Sequence, residues 1–245
     1  VYEYKPFKTK GPPVDIIKVG EIPQVESTYA YFDACWGGFM NEYQVFINDE
    51  YIYGREELSN PKGLPADELI IFTLQRAKTA REAIMVAGGL AEKYGYYNGG
   101  AEAWAITDSD EAWFCEVFPA GGEDWTRDCG KLGAVWVAQR VPDDQVSFNF
   151  NRSRIGEIDL NNPDYFMASP NVFSLGEEMG WYDPKSDKPF IWWEVYTPEK
   201  GDVNIREWAF VRLIAPSLNP DPNQSRWPFS IIPDKGKLSV QEIMD

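Results

Sequence analysis

The chain has 245 residues, 39 of them acidic and 23 basic, giving a formal net charge of −16 without a single histidine. Such a length supports one large domain or two small ones around a sizeable core, and 44% hydrophobic with 15% aromatic content excludes a disordered acidic tail. The acidic excess argues against nucleic-acid partners, which need clustered Lys and Arg, and against an anionic membrane surface.

Without imidazole there is no Ser-His-Asp triad, no Cys-His dyad and no histidine-ligated metal. Chemistry must fall to carboxylates, amides, arginine, tyrosine, cysteine or an amine. Cys35, Cys115 and Cys129 are an odd, widely spaced set with no C-x-x-C pair, which fits neither a disulfide framework nor a zinc site. Cys115 and Cys129 either pair, in an exported protein, or stay as buried free thiols. No metal or cofactor motif is read, and the compartment, cytoplasmic or exported, stays open.

In chain order, residues 1–30 are extended in character, broken by Gly11-Pro12-Pro13 and Pro23. Residues 29–53, aromatic and β-branched, read as two short strands about Gly37-Gly38. A loop at Asn60-Pro61-Lys62-Gly63 precedes two helices. The first opens at Pro65 with Asp67 and Glu68 in its first turn. The second starts on a Thr79/Glu82 capping box and stops at Gly95. Gly88-Gly89 in its middle implies close packing against another backbone.

From 101 to 151 the period becomes two. Strands 103–107 and 112–118 flank the turn Asp108-Ser109-Asp110-Glu111. A second hairpin is expected about Pro142-Asp143-Asp144, with Val146, Phe148 and Phe150 on one face. Helices followed by an antiparallel meander indicate an α+β fold. Beyond 155 the pattern loosens into loops with short helices near 173–179 and from Ser239. Residues 1–245 are read as one domain, with a sheet and helix core to 155 and a loop-rich extension over 156–245. The pattern breaks off in mid-helix at Asp245, so a longer native polypeptide is expected.

Three groups are chemically suggestive. Asn41, in Met40-Asn41-Glu42-Tyr43, either donates to an oxyanion or closes a turn. Asn151, in Asn149-Phe150-Asn151-Arg152-Ser153-Arg154, sits at a predicted strand end, where Arg152 or Arg154 suits a bidentate carboxylate clamp or a surface ion pair to Glu157 and Asp159. Asn48-Asp49-Glu50-Tyr51 either binds a cation or amine or is an exposed edge.

A succession of segments resembles the dipeptidase A family of cysteine peptidases. It runs from Arg76-Ala77-Lys78-Thr79-Ala80-Arg81-Glu82-Ala83-Ile84 through Ala91-Glu92-Lys93-Tyr94-Gly95-Tyr96 to Gly133-Ala134-Val135-Trp136-Val137-Ala138-Gln139-Arg140-Val141-Pro142-Asp143-Asp144. Met40-Asn41-Glu42, Asn151-Arg152-Ser153-Arg154-Ile155, Gly180-Trp181-Tyr182 and Leu213-Ile214-Ala215-Pro216-Ser217 extend it. The resemblance implies an N-terminal nucleophile (Ntn) hydrolase of four-layer αββα fold with antiparallel sheets, in which a cysteine at the mature amino terminus attacks and its own α-amine is the base. That mechanism needs no imidazole.

The resemblance places Asn151 near the oxyanion site and Asn41 near the substrate pocket. Asp49, Glu50 and Arg152 are substrate-binding candidates on their own chemistry, and the resemblance adds Arg206 to them, with Arg212 as its alternative as a supporting cation. Val1 has no attacking atom, and Cys35, being internal, reads as structural. The nucleophile is therefore expected on a segment upstream of this chain.

Two departures from the family pattern matter. Tyr43 stands where members carry His, and Glu50 and Tyr51 stand where they carry small hydroxyl residues, which crowds and acidifies the pocket wall. The implied activity is hydrolysis of short peptides. The alternatives are a catalytically silent assembly subunit and, on the tryptophan content, a carbohydrate-binding β domain. A sheet lacking its upstream strand is expected to show a gap, filled by the missing segment or another chain.

Overall fold

Residues 101–119 alternate side chains of two different cores, and that places them at the centre of a sheet. The computed structural model describes residues 21–34, 38–97, 100–198 and 202–244. The strands are β1 (Tyr31–Asp33), β2 (Phe39–Asn41), β3 (Phe46–Ile52), β4 (Leu64–Pro65), β5 (Tyr96–Tyr97), β6 (Ala101–Thr107), β7 (Ala112–Pro119), β8 (Ala134–Val141), β9 (Val146–Ser147), β10 (Phe166–Ala168) and β11 (Ser230–Ile231). The helices are α1 (Ala66–Leu74), α2 (Ala80–Tyr94), α3 (Ser174–Glu178), α4 (Trp192–Tyr196), α5 (Ile205–Ile214) and α6 (Val240–Met244). Seven strands form one antiparallel sheet in the order β1-β2-β3-β6-β7-β8-β10, and two small pairs, β4-β5 and β9-β11, stand apart. The result is a mixed α/β fold dominated by one large antiparallel sheet. No helix among the described residues is long and apolar enough to cross a membrane.

One face of the sheet carries Trp104, Ile106, Trp113, Cys115, Val117 and Trp136, buried against α1 and α2. The other carries Ala101, Ala103, Phe118, Val135 and Val137, which the chain after 155 covers with Ile155, Val172, Trp192 and Tyr196. With both faces buried, the central strands lose the polar half of the alternation. A third cluster joins Phe148 to Val211, Ile214, Trp227 and Ile231, around α5 and the β9-β11 pair.

The helix starts follow the sequence. Thr79 accepts from the Glu82 N–H at 3.1 Å while Glu82 reaches back to the Lys78 N–H at 2.8 Å, and Gly95 ends α2 at φ +79°. The close approach at Gly88 is real, but the neighbour is an indole and not a backbone. A Cβ there would lie 2.4 Å from the Trp136 ring, whereas one at Gly89 would meet nothing within 4 Å. Trp136 is held in turn by Glu92 at 2.7 Å and has little room to retreat. Gly88→Ala is therefore expected to destabilise by about 1–3 kcal/mol through overpacking. Gly89→Ala should stabilise by up to about 1 kcal/mol, so the two urea midpoints should move in opposite directions.

Several expectations are corrected. The second hairpin does not form, because β8 pairs with β7 and β10, while β9 pairs with β11. Val146, Phe148 and Phe150 do share a side, yet they pack towards Phe210 of α5, with Phe148 and Phe210 ring centroids 4.8 Å apart. Nor, among the described residues, does the sheet have a gap, since its strands follow one another without a break. The tight turn from Asn41 to Val45 leaves no place for an intervening strand. What remains is a partly covered strand: β6 pairs with all of Phe46 to Ile52, whereas β2 takes only Phe46 and Ile47 on the outer side. Helix α5 is missed by the sequence reading, although Asn204 caps it, accepting from the Arg206 N–H at 3.1 Å, and Pro216 follows its end. Cys115 is a buried free thiol but Cys129 is a free, exposed one. Val1 and Cys35 lie outside the described residues.

Candidate functional site

The outer end of β3 meets the segment 149–154 and the start of α5. Asn149 closes a turn over this segment, accepting from the Arg152 N–H at 3.2 Å and donating to the Arg152 carbonyl at 2.9 Å. Within that turn Asn151 adopts φ +60°, a left-handed conformation that asparagine tolerates better than most residues. Its Nδ2 donates to the Tyr51 carbonyl at 2.9 Å, and its Oδ1 accepts from Arg206 Nη1 at 3.0 Å. Arg206 Nη2 donates to the Phe150 carbonyl at 2.8 Å, which also receives Asn204 Nδ2 at 3.0 Å. Arg206 thus fixes which way the Asn151 amide faces. Among the described residues one Asn151 amide proton remains uncommitted.

Glu50 completes the group. Its carboxylate stands near the Asn151 backbone N–H and feels the Arg206 charge, both of which pull its pKa down; partial burial, the larger influence, pushes it up. Asp49 does not join it. Successive β residues face opposite ways, so Asp49 lies on the helix side, where burial first and then Asp67 raise its pKa. Sequence reading grouped Asp49 and Glu50 as substrate-binding candidates; the strand turns them to opposite faces.

Asn41 is placed elsewhere. It is 4% exposed, and both of its amide protons are used, on the Leu74 carbonyl at 2.8 Å and the Ala77 carbonyl at 2.7 Å. Its Oδ1 accepts from the N–H groups of Tyr43 at 3.0 Å and Val45 at 3.1 Å. It has no proton left for an oxyanion, and it closes the turn into β3. The strand from Val45 to Tyr51 then separates it from Asn151 by about 20 Å.

Arg152 is a clamp, as its residue type implied, but the carboxylate belongs to the protein itself. It reaches Glu207 Oε2 at 3.4 Å, the Ser225 carbonyl at 2.7 Å and the Asp202 carbonyl. Arg154 reaches Glu207 Oε1 at 3.2 Å and stacks 4.2 Å above Phe148. Both arginines are buried, and Glu207 is 0% exposed. Neither reaches Glu157 or Asp159, and neither is available to substrate. Arg212 stacks on Trp208 at 5.2 Å, nearly two turns along α5 from Arg206.

Glu116 has the companion role. It is fully buried in β7, where Oε1 accepts the Arg154 N–H at 2.6 Å and the Ile155 N–H at 3.1 Å; Oε2 accepts the Ser153 hydroxyl and Trp192 Nε1 at 2.7 Å. Burial pushes this carboxyl up, and the four donors pull it back. The signal for Glu116 was a lone charge inside the apolar run from Ala112 to Pro119. The described thiols stand apart from Asn151 in environment. Cys115 is packed in the helix-side core, where burial pushes its thiol far up, and Cys129 is exposed beside Lys131. Among the described residues no cluster of three or more Cys, Asp or Glu groups is arranged to hold a metal.

Against this geometry the relatives are informative. The chain is 26% identical over 201 residues to a probable dipeptidase of Latilactobacillus sakei, covering 81% of this chain and 39% of that protein. It is 25% identical over 181 residues to a probable dipeptidase of Salmonella dublin, covering 74% and 38%. It is 27% identical over 133 residues to a probable dipeptidase A of Streptococcus pyogenes serotype M3, covering 54% and 25%. It thus spans about two fifths or less of the curated relatives it matches. The model described as Peptidase family C69 matches residues 25–245, and the chain belongs to that family.

Proposed function

We propose that this chain forms the oxyanion side of a cysteine-type dipeptidase of the Ntn class, with an αββα fold completed by residues outside those described. Its substrate is a short peptide. The attacking thiol and its α-amine lie on a segment upstream of Val1 and approach at the outer end of β3. The observation that carries this reading is Asn151. A left-handed backbone held by neighbouring contacts is a common sign of a working site, and here it presents an amide with one uncommitted proton. Arg206 on Oδ1 fixes that amide and polarises it, so the remaining N–H meets the charge that develops on a tetrahedral intermediate. With no histidine in the chain, a terminal amine is the base that fits.

The test uses the native full-length protein. N-terminal sequencing and intact mass should find cysteine at the mature amino terminus, and alkylation should abolish dipeptide hydrolysis. Asn151→Ala should lower kcat by about 10²–10³-fold, the loss typical of removing one oxyanion donor, with little change in KM. A protein that folds but hydrolyses no dipeptide would favour the silent assembly subunit instead.

A further inference from the structure

We infer, resting on the reading of Asn151 as oxyanion donor, that Glu50 makes this site select peptides carrying a positive charge beside the scissile bond. Three observations converge on it. First, position: Glu50 immediately precedes Tyr51, whose carbonyl takes Asn151 Nδ2 at 2.9 Å, so Glu50 stands beside the residue whose side-chain amide holds the uncommitted proton. A carbonyl seated on that amide brings its neighbouring groups within a few ångströms of the Glu50 carboxylate.

Second, availability. Glu50 makes no ion pair within 4.0 Å among the described residues, and both Nη atoms of its nearest cation, Arg206, are engaged with Asn151 and Phe150. A half-buried carboxylate that has lost part of its hydration gains most from an added charge-assisted hydrogen bond. Third, field. Asp49 lies on the opposite face of the same strand with Asp67 near it, so the outer edge of β3 is negative on both sides. The chain as a whole carries −16, which steers cations inward. Arg206 does not cancel this selectivity, because it sits on the Oδ1 side of Asn151 and serves the developing oxyanion.

The cation has two sources, the α-ammonium of a dipeptide or a Lys or Arg side chain, and the substrates separate them. The native enzyme and its Glu50→Gln and Glu50→Lys variants are assayed on Ala-Ala, Lys-Ala, Glu-Ala and the N-acetyl forms of the first two. In the native enzyme kcat/KM should be about tenfold higher for the cationic member of the deciding pair, the size of one partly desolvated charge-assisted contact. If the side chain is read, the Lys-Ala to Glu-Ala ratio should fall to near one in Glu50→Gln and invert in Glu50→Lys. If the α-ammonium is read, the penalty for acetylation should shrink in the same order. Variants that hydrolyse all five peptides with the native profile would overturn this inference while leaving the dipeptidase reading intact. A native protein inactive on every peptide would overturn both.

Discussion

Glu207→Gln is expected to destabilise the protein by about 3–5 kcal/mol, the typical loss when one member of a buried ion pair is removed. At this chain length that corresponds to a fall in Tm of roughly 10 °C. The reason is geometric. Glu207 is wholly buried and its two oxygens serve different guanidinium groups, Oε2 that of Arg152 and Oε1 that of Arg154. A neutral amide removes the carboxylate that both buried guanidinium groups share and turns an N–H₂ towards one of them. The conserved-size substitution keeps packing intact, so the loss reads electrostatics. Urea denaturation measures it, and a loss under about 1 kcal/mol would mean that water reaches the three charges.

That triad also links stability to the proposed site. Glu207 is the residue after Arg206, and Arg152 is the residue after Asn151. The buried contact therefore fixes the start of α5 against the turn at 149–152, which is what brings Arg206 Nη1 to within 3.0 Å of Asn151 Oδ1. At temperatures where Glu207→Gln is still folded, dipeptide turnover should fall with it. Replacing all three charges by apolar residues should recover part of the stability. It should not recover turnover, because the docking geometry is lost.

Glu116→Gln is expected to cost about 2–4 kcal/mol, from one stranded donor and the loss of charge assistance on the rest. The native carboxylate accepts four donors in two pairs. The backbone N–H groups of Arg154 and Ile155 cannot rotate away, so the amide oxygen must face them. Its N–H₂ then faces the Ser153 hydroxyl, which can turn to accept, and the Trp192 indole, which can only donate. Trp192 should be left without an acceptor, visible as a displaced indole N–H resonance and an earlier urea midpoint. An unchanged midpoint would show that Trp192 finds another partner.

The local signals in the sequence were sufficient for what depends on neighbours in the chain. The α2 capping box, Pro65 before α1, the Gly95 stop and the hairpin about Asp108-Ser109-Asp110-Glu111 all act within a few residues, so composition and spacing decide them. The residue types at the site were legible too. Asn151, Glu50 and Arg206 were singled out, and their amide, carboxylate and guanidinium chemistry belongs to the repertoire left by a chain without histidine.

Which of those residues meet was decided by tertiary structure. Asn41, beside a turn, and Asn151, at a predicted strand end, looked alike as candidate amide donors. The fold spent both Asn41 protons on helix carbonyls and left one of Asn151's uncommitted. Arg152 and Arg206 looked alike as cations, but burial against Glu207 turned the first inward while the second stayed exposed beside Asn151. The outer partner of β8 and the partner of β9 likewise come from residues 166–168 and 230–231, far along the chain. Spacing determines what a segment can become, because capping and alternation are short-range. Which donors are satisfied, which charges are buried and which proton is left over depend on contacts across 30 to 100 residues, and only the packed chain sets those.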